Sequence, residues 1–357
     1  FAEAAARFVA AGATLLGGCC GTTPAHVRAI SQAVAALPPV QRSPATSPAI
    51  VRGAPAVPPS PGWPWEGELV VAAGLQVPNG PQVPEFLERA TMLRAAGAEA
   101  LAIIEAAPPA ARISPVGAAV VVRERVGSEV LLPVEAADRN LAALQADLLG
   151  AHALGLRIVV CRTGSPRVAG DYPSAGGGTP WDVDSVGLVA MLSALNEGID
   201  WRGIATAERT RFVIGGSLRI AASDLGPELD KAEAELRAGA HFLVTDVIYD
   251  VEEAIRVLDA LRTRGVTLPV LATLAPFEDI RTLQRLSYEV PGVSIPLSVL
   301  ASARRHRDDP AQTVELAVGA VEKLRHVVSG VVVHVPNGRD DQAVPLVQAL
   351  AELRAGP

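Results

Sequence analysis

Val130-Leu-Leu-Pro-Val-Glu135, then the helical stretch Arg139–Leu154, then Arg157-Ile-Val-Val-Cys-Arg162: these three segments decide the fold. Two short, apolar, β-branched runs flank a segment of helical length. Strands that are apolar along their whole length are buried on both faces, and a helix between two of them returns the chain for a parallel pairing. The same alternation recurs in both directions. Further strands are expected at Glu68–Ala73, Ala100–Glu105, Arg211–Gly215, His241–Asp246, Leu268–Leu274 and Gly330–Val335. Helices are expected at Pro84–Ala96, Pro115–Val126, Val183–Asn196, Pro227–Ala238, Val251–Arg264, within Phe277–Val328, and at Ala343–Arg354. Eight such units in about 290 residues point to an α/β fold, a (β/α)8 TIM barrel. The rival open doubly wound sheet wants a glycine-rich turn after its first strand, and Val71-Ala-Ala-Gly-Leu-Gln-Val-Pro-Asn-Gly80 is not G-x-G-x-x-G.

Upstream of the barrel the sequence changes character. Residues 38–65 include nine prolines, with Ser, Ala and Gly between them, and read as a linker. Residues 1–37 are Ala-rich around Gly17-Gly-Cys-Cys-Gly21 and read as a strand followed by a helix. The expected organisation is therefore 1–37 terminal strand and helix, 38–65 linker, 66–357 barrel. Trp63 and Trp65 are expected to close the bottom or flank of the barrel. The chain starts with Phe, not Met, so it is expected to be part of a longer protein.

Of the 357 residues 49% are hydrophobic, enough for a large core, and the net charge is −7, which argues against a nucleic-acid partner. The apolar runs are far too short to span a membrane. Three cysteines, two of them adjacent, cannot build a disulfide framework, so a cytoplasmic location is expected. Homo-oligomerisation is left open.

In a TIM barrel the chemistry lies at the C-terminal ends of the strands. Those ends read as Gly74, Glu105, Glu135, Thr163-Gly164-Ser165, Gly215-Gly216-Ser217, Asp246, Thr273 and His334–Asn337. Glu105, Glu135 and Asp246 are three carboxylates in one mouth. They read either as solvated charges that cap helices and pair with cations, or as an acid/base or cation site in which crowding raises one pKa. His152 reads as a packed or capped histidine, Cys161 as a small buried hydrophobe, and Gly176-Gly-Gly178 as a ligand lid or a spacer.

Leu15-Leu-Gly-Gly-Cys-Cys-Gly-Thr-Thr-Pro24 resembles the end of the homocysteine S-methyltransferase barrel, where the paired cysteines ligate zinc. The family's third cysteine has no counterpart here, and Cys19 and Cys20 alone do not close a tetrahedral site, so no zinc is expected. From Glu66 onward the chain resembles methylenetetrahydrofolate reductase, in the version fused behind that methyltransferase. The resemblance rests on the order and spacing of Asp138-Arg-Asn140, Leu144–Gly155, Gly170-Asp-Tyr-Pro173, Trp181-Asp-Val-Asp184, Asn196-Glu-Gly198, Ala238-Gly-Ala240, Tyr249-Asp250 and Glu289-Val-Pro-Gly-Val293. It implies reduction of 5,10-methylenetetrahydrofolate to 5-methyltetrahydrofolate with NAD(P)H, in one-carbon and methionine metabolism, with a methyltransferase domain upstream in the parent chain. It also implies cofactor contacts at Thr163, Gly164, Ser165, Asp182 and Asp184, and substrate contacts at Gly74, Asp246, Tyr249 and Asn337.

The departures from the family matter as much. The family's ring-opening Glu aligns with Gly74, its flavin-side Asp with Ser165, its folate-contacting Gln with Asp246, and a phosphate-facing Lys with Glu235. FAD is therefore expected to be weak or absent, with Glu235, Glu135 and Asp246 repelling its pyrophosphate. The acid role is expected to pass to Glu105, Glu135 or Asp246, and Gly74 is expected to leave extra room. Lys231 is expected to pair with Glu235; its other reading is that it reaches toward a ligand. The alternative is a catalytically lapsed barrel that binds folate or serves as a structural module.

Overall fold

The computed structural model describes residues 1–357 except 14, 19–20, 38–63, 66–68, 105–111, 138, 165–181, 223, 277–279, 290–294, 306–308, 335–339 and 356–357. The chain divides into two compact units, Phe1–Ala56 and Val57–Pro357.

In the second unit the expected barrel is borne out. Strands β1 (Val70–Gln76), β2 (Ala100–Ile104), β3 (Glu129–Glu135), β4 (Ile158–Arg162), β5 (Val213–Leu218), β6 (Phe242–Val247), β7 (Val270–Leu274) and β8 (Gly330–Val333) close in sequence order. Every pairing is parallel, including the β1–β8 seam. Alternation along each strand separates two cores. Val70, Ala72, Leu131, Val160, Phe242, Val244 and Val332 fill the barrel, whereas Val71, Ala73, Val159, Ile214, Leu243 and Val331 face the surrounding helices. Trp65 packs against the inner cluster from ahead of β1, as expected; Trp63 lies outside the described residues.

The helices of this unit are α3 (Val83–Ala95), α4 (Pro115–Val126), α5 (Leu141–Ala153), α6 (Ser185–Glu197), α7 (Leu225–Ala238), α8 (Val251–Thr263), α9 (Ile280–Glu289), α10 (Leu297–Arg305), α11 (Pro310–Leu324) and α12 (Asp340–Ala355). Side-chain oxygens at their N-caps take up N–H groups that the first turn leaves unpaired. Asn140 caps α5, Asp184 caps α6 and Asp250 caps α8. His152 accepts the N–H of Arg211 and sets its ring edge-on to Phe212, a packed histidine as expected. Cys161 is fully buried.

Two strands differ from expectation in a way that moves the site. Gly74, Gly215 and Gly216 read as strand ends, yet all three lie inside β1 or β5. A Cβ at Gly74 would overlap Ile104 Cδ1, one at Gly215 would stand 2.5 Å from the Phe242 ring, and one at Gly216 would overlap the Glu235 carboxyl. These glycines accommodate neighbouring side chains rather than end strands. The room expected at Gly74 is thus taken by Ile104.

The first unit contains α1 (Ala2–Ala10) and α2 (Pro24–Ala35), which pack together with Ala5 and Ile30 buried. Thr23 and His26 form a reciprocal cap at the start of α2, and the Phe1 ring stacks on His26. No strand occurs among the described residues of 1–37, where a strand and a helix were expected. A strand exists only by pairing with another, and the described part of this unit offers none.

Candidate active site at the barrel mouth

The inward register of the strands decides which side chains reach the mouth. On β3 and β4, Glu135 pairs in register with Arg162. On β6 and β7 a register shift between Val244 and Val247 places an extra residue opposite β7. Thr245 and Thr273 stitch this bulge through two hydrogen bonds, Thr245 Oγ1 accepting from Thr273 N at 2.9 Å and Thr273 Oγ1 donating to Thr245 O at 2.7 Å. Bulges re-aim the side chains beside them. Here the Asp246 carboxylate turns to the loop after β5 and accepts the Ile220 N–H at 2.8 Å.

Above the inner core opens a cavity of about 1080 Å³. Its described lining includes Glu135, Arg162, Thr163, Gly164, Ser217, Arg219, Asp246, Thr273 and His334. Arg112, Arg139 and Lys231 line it too, with Asp147 and Glu228. In a chain of net charge −7, the described lining thus holds five cations against four carboxylates.

These charges are organised in groups. Glu228, almost wholly buried, accepts from Arg219 Nε at 2.6 Å and from Lys231 Nζ at 2.7 Å. Burial alone would raise its pKa, but the hydrogen bonds and charges of Lys231 and Arg219 outweigh that and hold it below the ordinary value. Lys231 therefore bonds to Glu228, not to Glu235 as expected. Arg139 pairs with Asp147.

Asp246 is pushed up to about 6, first by burial, with the charge of Glu228 adding to it and the N–H groups of Ile220 and Ala221 opposing. A raised acid was expected in this mouth, but from crowding of carboxylates; burial is the larger cause. His334 is held down to about 4 by burial and by the Arg162 charge, so its imidazole is neutral at physiological pH.

Of the residues singled out in the sequence, the mouth brings together Glu135, Thr163, Gly164, Ser217, Asp246, Thr273 and His334. Gly164 has a left-handed φ of +84°, and a Cβ there would stand 2.7 Å from Ala137 Cβ, so the position requires glycine. Thr163 Oγ1 accepts the Ser185 N–H at the start of α6. The described cavity lining does not include Gly74, Asp182, Asp184 or Tyr249. Asp182 accepts the Leu141 N–H, Asp184 caps α6, and Tyr249 packs with Leu283, Ile295 and Leu300. Glu105, Ser165, Asn337 and Gly176–Gly178 lie outside the described residues.

Sequence reasoning missed Arg162, Arg219 and Glu228, whereas the alternative reading of Lys231 as reaching toward a ligand agrees with its place in the lining. Parity would have found Arg162, which follows Ile158 and Val160 on the inner face of β4. Arg219 was hidden because β5 was read three residues short.

The family follows from the sequence match. The model for methylenetetrahydrofolate reductase matches residues 66–336, all eight strands included. The chain belongs to the methylenetetrahydrofolate reductase family. Residues 1–34 match the model for homocysteine S-methyltransferase. No curated protein matches. Among solved structures, the barrel is similar to an uncharacterized protein from Clostridium thermocellum that binds two copies of 5-methyl-5,6,7,8-tetrahydrofolic acid. That match has 13% identity and a TM-score of 0.58, covering 80% of this chain and 96% of that one. A putative lyase/mutase from Burkholderia cenocepacia J2315 matches at 17% identity and a TM-score of 0.40, covering 81% and 80%. Tryptophan synthase from M. tuberculosis matches at 11% and 0.42, covering 80% and 92%.

The reductase family implies FAD, and of the five cations in the described lining three are paired with carboxylates of that lining. A dinucleotide flavin laid over the strand ends needs donors for its pyrophosphate. Arg219 and Lys231 are held by Glu228, and Arg139 by Asp147. Glu235, however, does not face the cavity: it is fully buried among α6, α7 and β5, outside the described lining. Among the described residues no group of three or more His, Cys, Asp or Glu could hold a metal ion, and Cys19 and Cys20 lie outside them. No helix among the described residues is long and apolar enough to cross a membrane.

Proposed function

We propose that the mouth binds a reduced folate and that NAD(P)H delivers a hydride directly to 5,10-methylenetetrahydrofolate, giving 5-methyltetrahydrofolate without a bound flavin. The carrying observation is Asp246, a half-buried carboxyl at about 6 in a pocket otherwise rich in cations. The folate tail is a dicarboxylate, complementary to that lining. In the reaction, a proton from Asp246 to N10 opens the imidazolidine ring and leaves an iminium at N5. The hydride from nicotinamide C4 then reduces the iminium carbon to the methyl group. An acid poised near the working pH suits that proton transfer. The neutral His334 imidazole, Glu135 and Arg162 line the same cavity.

Family membership and the folate bound by the structural neighbour support this reading. The match of residues 1–34 supports a coupling to methyl transfer onto homocysteine, the step that consumes 5-methyltetrahydrofolate. One observation favours a second reading, folate binding without turnover: Asp246 already holds the Ile220 N–H. The deciding experiment is NAD(P)H oxidation by the purified chain with 5,10-methylenetetrahydrofolate, with and without added FAD. Turnover that does not change on adding FAD is expected. Turnover only with FAD ends the flavin-free proposal, and tight folate binding with no turnover selects the second reading.

A further inference from the structure

The ladder between β4 and β5 stops early. It runs from Ile158↔Val213 through Val159↔Ile214 to Val160↔Gly215, although both strands continue toward the mouth. Above that point a chain of side-chain hydrogen bonds links the two strands. The Ser217 N–H of β5 donates to Glu235 Oε2 at 3.2 Å. The other oxygen of the same carboxyl accepts from Ser185 Oγ, at the start of α6, at 2.7 Å. The Ser185 N–H in turn donates to Thr163 Oγ1, just past the end of β4, at 3.0 Å. A continuous path, Thr163–Ser185–Glu235–Ser217, thus crosses the gap. Its two ends line the cavity and its middle is fully buried. Gly216 makes the insertion feasible, since a Cβ there would overlap the carboxyl.

We propose that Glu235 is a positioning residue for the mouth, a strut that replaces the missing β4–β5 rungs and fixes the separation of Thr163 and Ser217 where a ligand meets them. This rests on the proposed ligand site at the mouth but not on its chemistry.

The strut changes charge near neutrality. Burial pushes Glu235 up to about 7, against the Ser185 hydrogen bond, the Lys231 charge and the Ser217 N–H, with Glu228 adding to the rise. Around it stand Ser185 on α6, Ser217 and Gly216 on β5, Leu243 on β6 beside Gly216, and Cys161 on β4. Burial and the Glu235 charge keep the Cys161 thiol well above its ordinary range, hence neutral. Lys231 and Glu228 on α7 are the remaining charges that act on it. Above neutrality the wall of the mouth therefore carries one more buried negative charge behind Ser217, which disfavours an anionic ligand.

The test uses the full chain, 15N-labelled, as wild type, E235Q and E235A. The backbone amide of Ser217 is followed from about pH 5.5 to 8.5. In parallel, dissociation constants for 5-methyltetrahydrofolate are measured at about pH 6 and pH 8.5. The expected result is a Ser217 titration with its midpoint near 7 in wild type and none in E235Q. E235Q, which mimics the neutral acid, is expected to bind within about 2-fold of wild type at the lower pH and to lose the pH dependence. E235A, which removes the strut, is expected to bind about 10-fold more weakly. A Ser217 amide insensitive to pH, or E235A binding as wild type does, overturns the proposal. If E235A does not fold, the wild-type and E235Q titrations decide. If wild type binds no 5-methyltetrahydrofolate, the folate reading fails, and the Ser217 titration still judges the strut.

Discussion

The floor and the mouth of this barrel are built from the same strands, only a few residues apart, and obey opposite rules. At the floor the inward positions are Val70, Ala72, Leu131, Ile158, Val213 and Phe242, closed from ahead by Trp65. At the mouth the inward positions include Glu135, Arg162, Ser217, Asp246 and His334. The floor is held by area and shape alone. In the mouth every charge with a resolved environment depends on a particular partner, and burial shifts Asp246 and His334 toward their neutral forms. One set of strands thus carries a part indifferent to pH and a part tuned by it.

The largest break in that contrast should come from Phe242→Ala. It empties the space that Gly215 leaves for the ring and should cost about 3–5 kcal/mol in denaturant unfolding. Its effect should be the same at pH 5 and pH 8, because nothing that titrates is removed.

In the mouth, Asp246→Asn should not lower the unfolding midpoint at neutral pH, because it removes a buried charge, while lowering NAD(P)H-dependent turnover about 10²-fold or more. A variant with full turnover would remove Asp246 from the acid role. Smaller again is Lys231→Met, which leaves the buried Glu228 carboxylate with Arg219 as its remaining cation and should cost about 1–3 kcal/mol. Chemical denaturation at neutral pH measures it.

Stability itself should also slope with pH. Glu235 and Asp246 have folded pKa values raised to about 7 and about 6, from 4.5 and 3.8. The folded state therefore holds more protons than the unfolded state between those limits, and stability falls as pH rises from about 4 to 7. Glu228 is lowered, so its contribution is complete above 4.5 and fades only in more acid solution. Unfolding midpoints at pH 5 and pH 8 should thus differ in favour of pH 5, and the difference should shrink in Glu235→Gln.

The fold was readable in the sequence because its signals are local. Apolar runs mark strands, and several segments that carried the family resemblance turn out to shape turns and helix ends. Asn140, Asp184 and Asp250 are N-caps. Gly198 and Gly239 are left-handed C-caps, and Asn196 bridges α6 to the start of β5. The site was readable only in part. Asp246 and Glu135 were found from strand ends. Arg219 and Glu228 were missed because their pairing spans a loop whose start depends on where β5 ends. Glu235 was assigned to the mouth by alignment, yet the depth of a residue on a helix is set by what the neighbouring strand leaves open. A glycine at 216, recognisable only in three dimensions as a vacancy for an acid, decides it.

Trp65 has a mechanical consequence. A closed ring of parallel strands is most easily opened at the seam where its first and last strands meet, here β1 and β8. The indole, partly buried, packs against the inner cluster just ahead of β1, so tension on the preceding chain reaches this contact before it reaches the seam. A pull from the N-terminal side is therefore met first by the packing of this ring against the floor, before the β1–β8 seam is loaded.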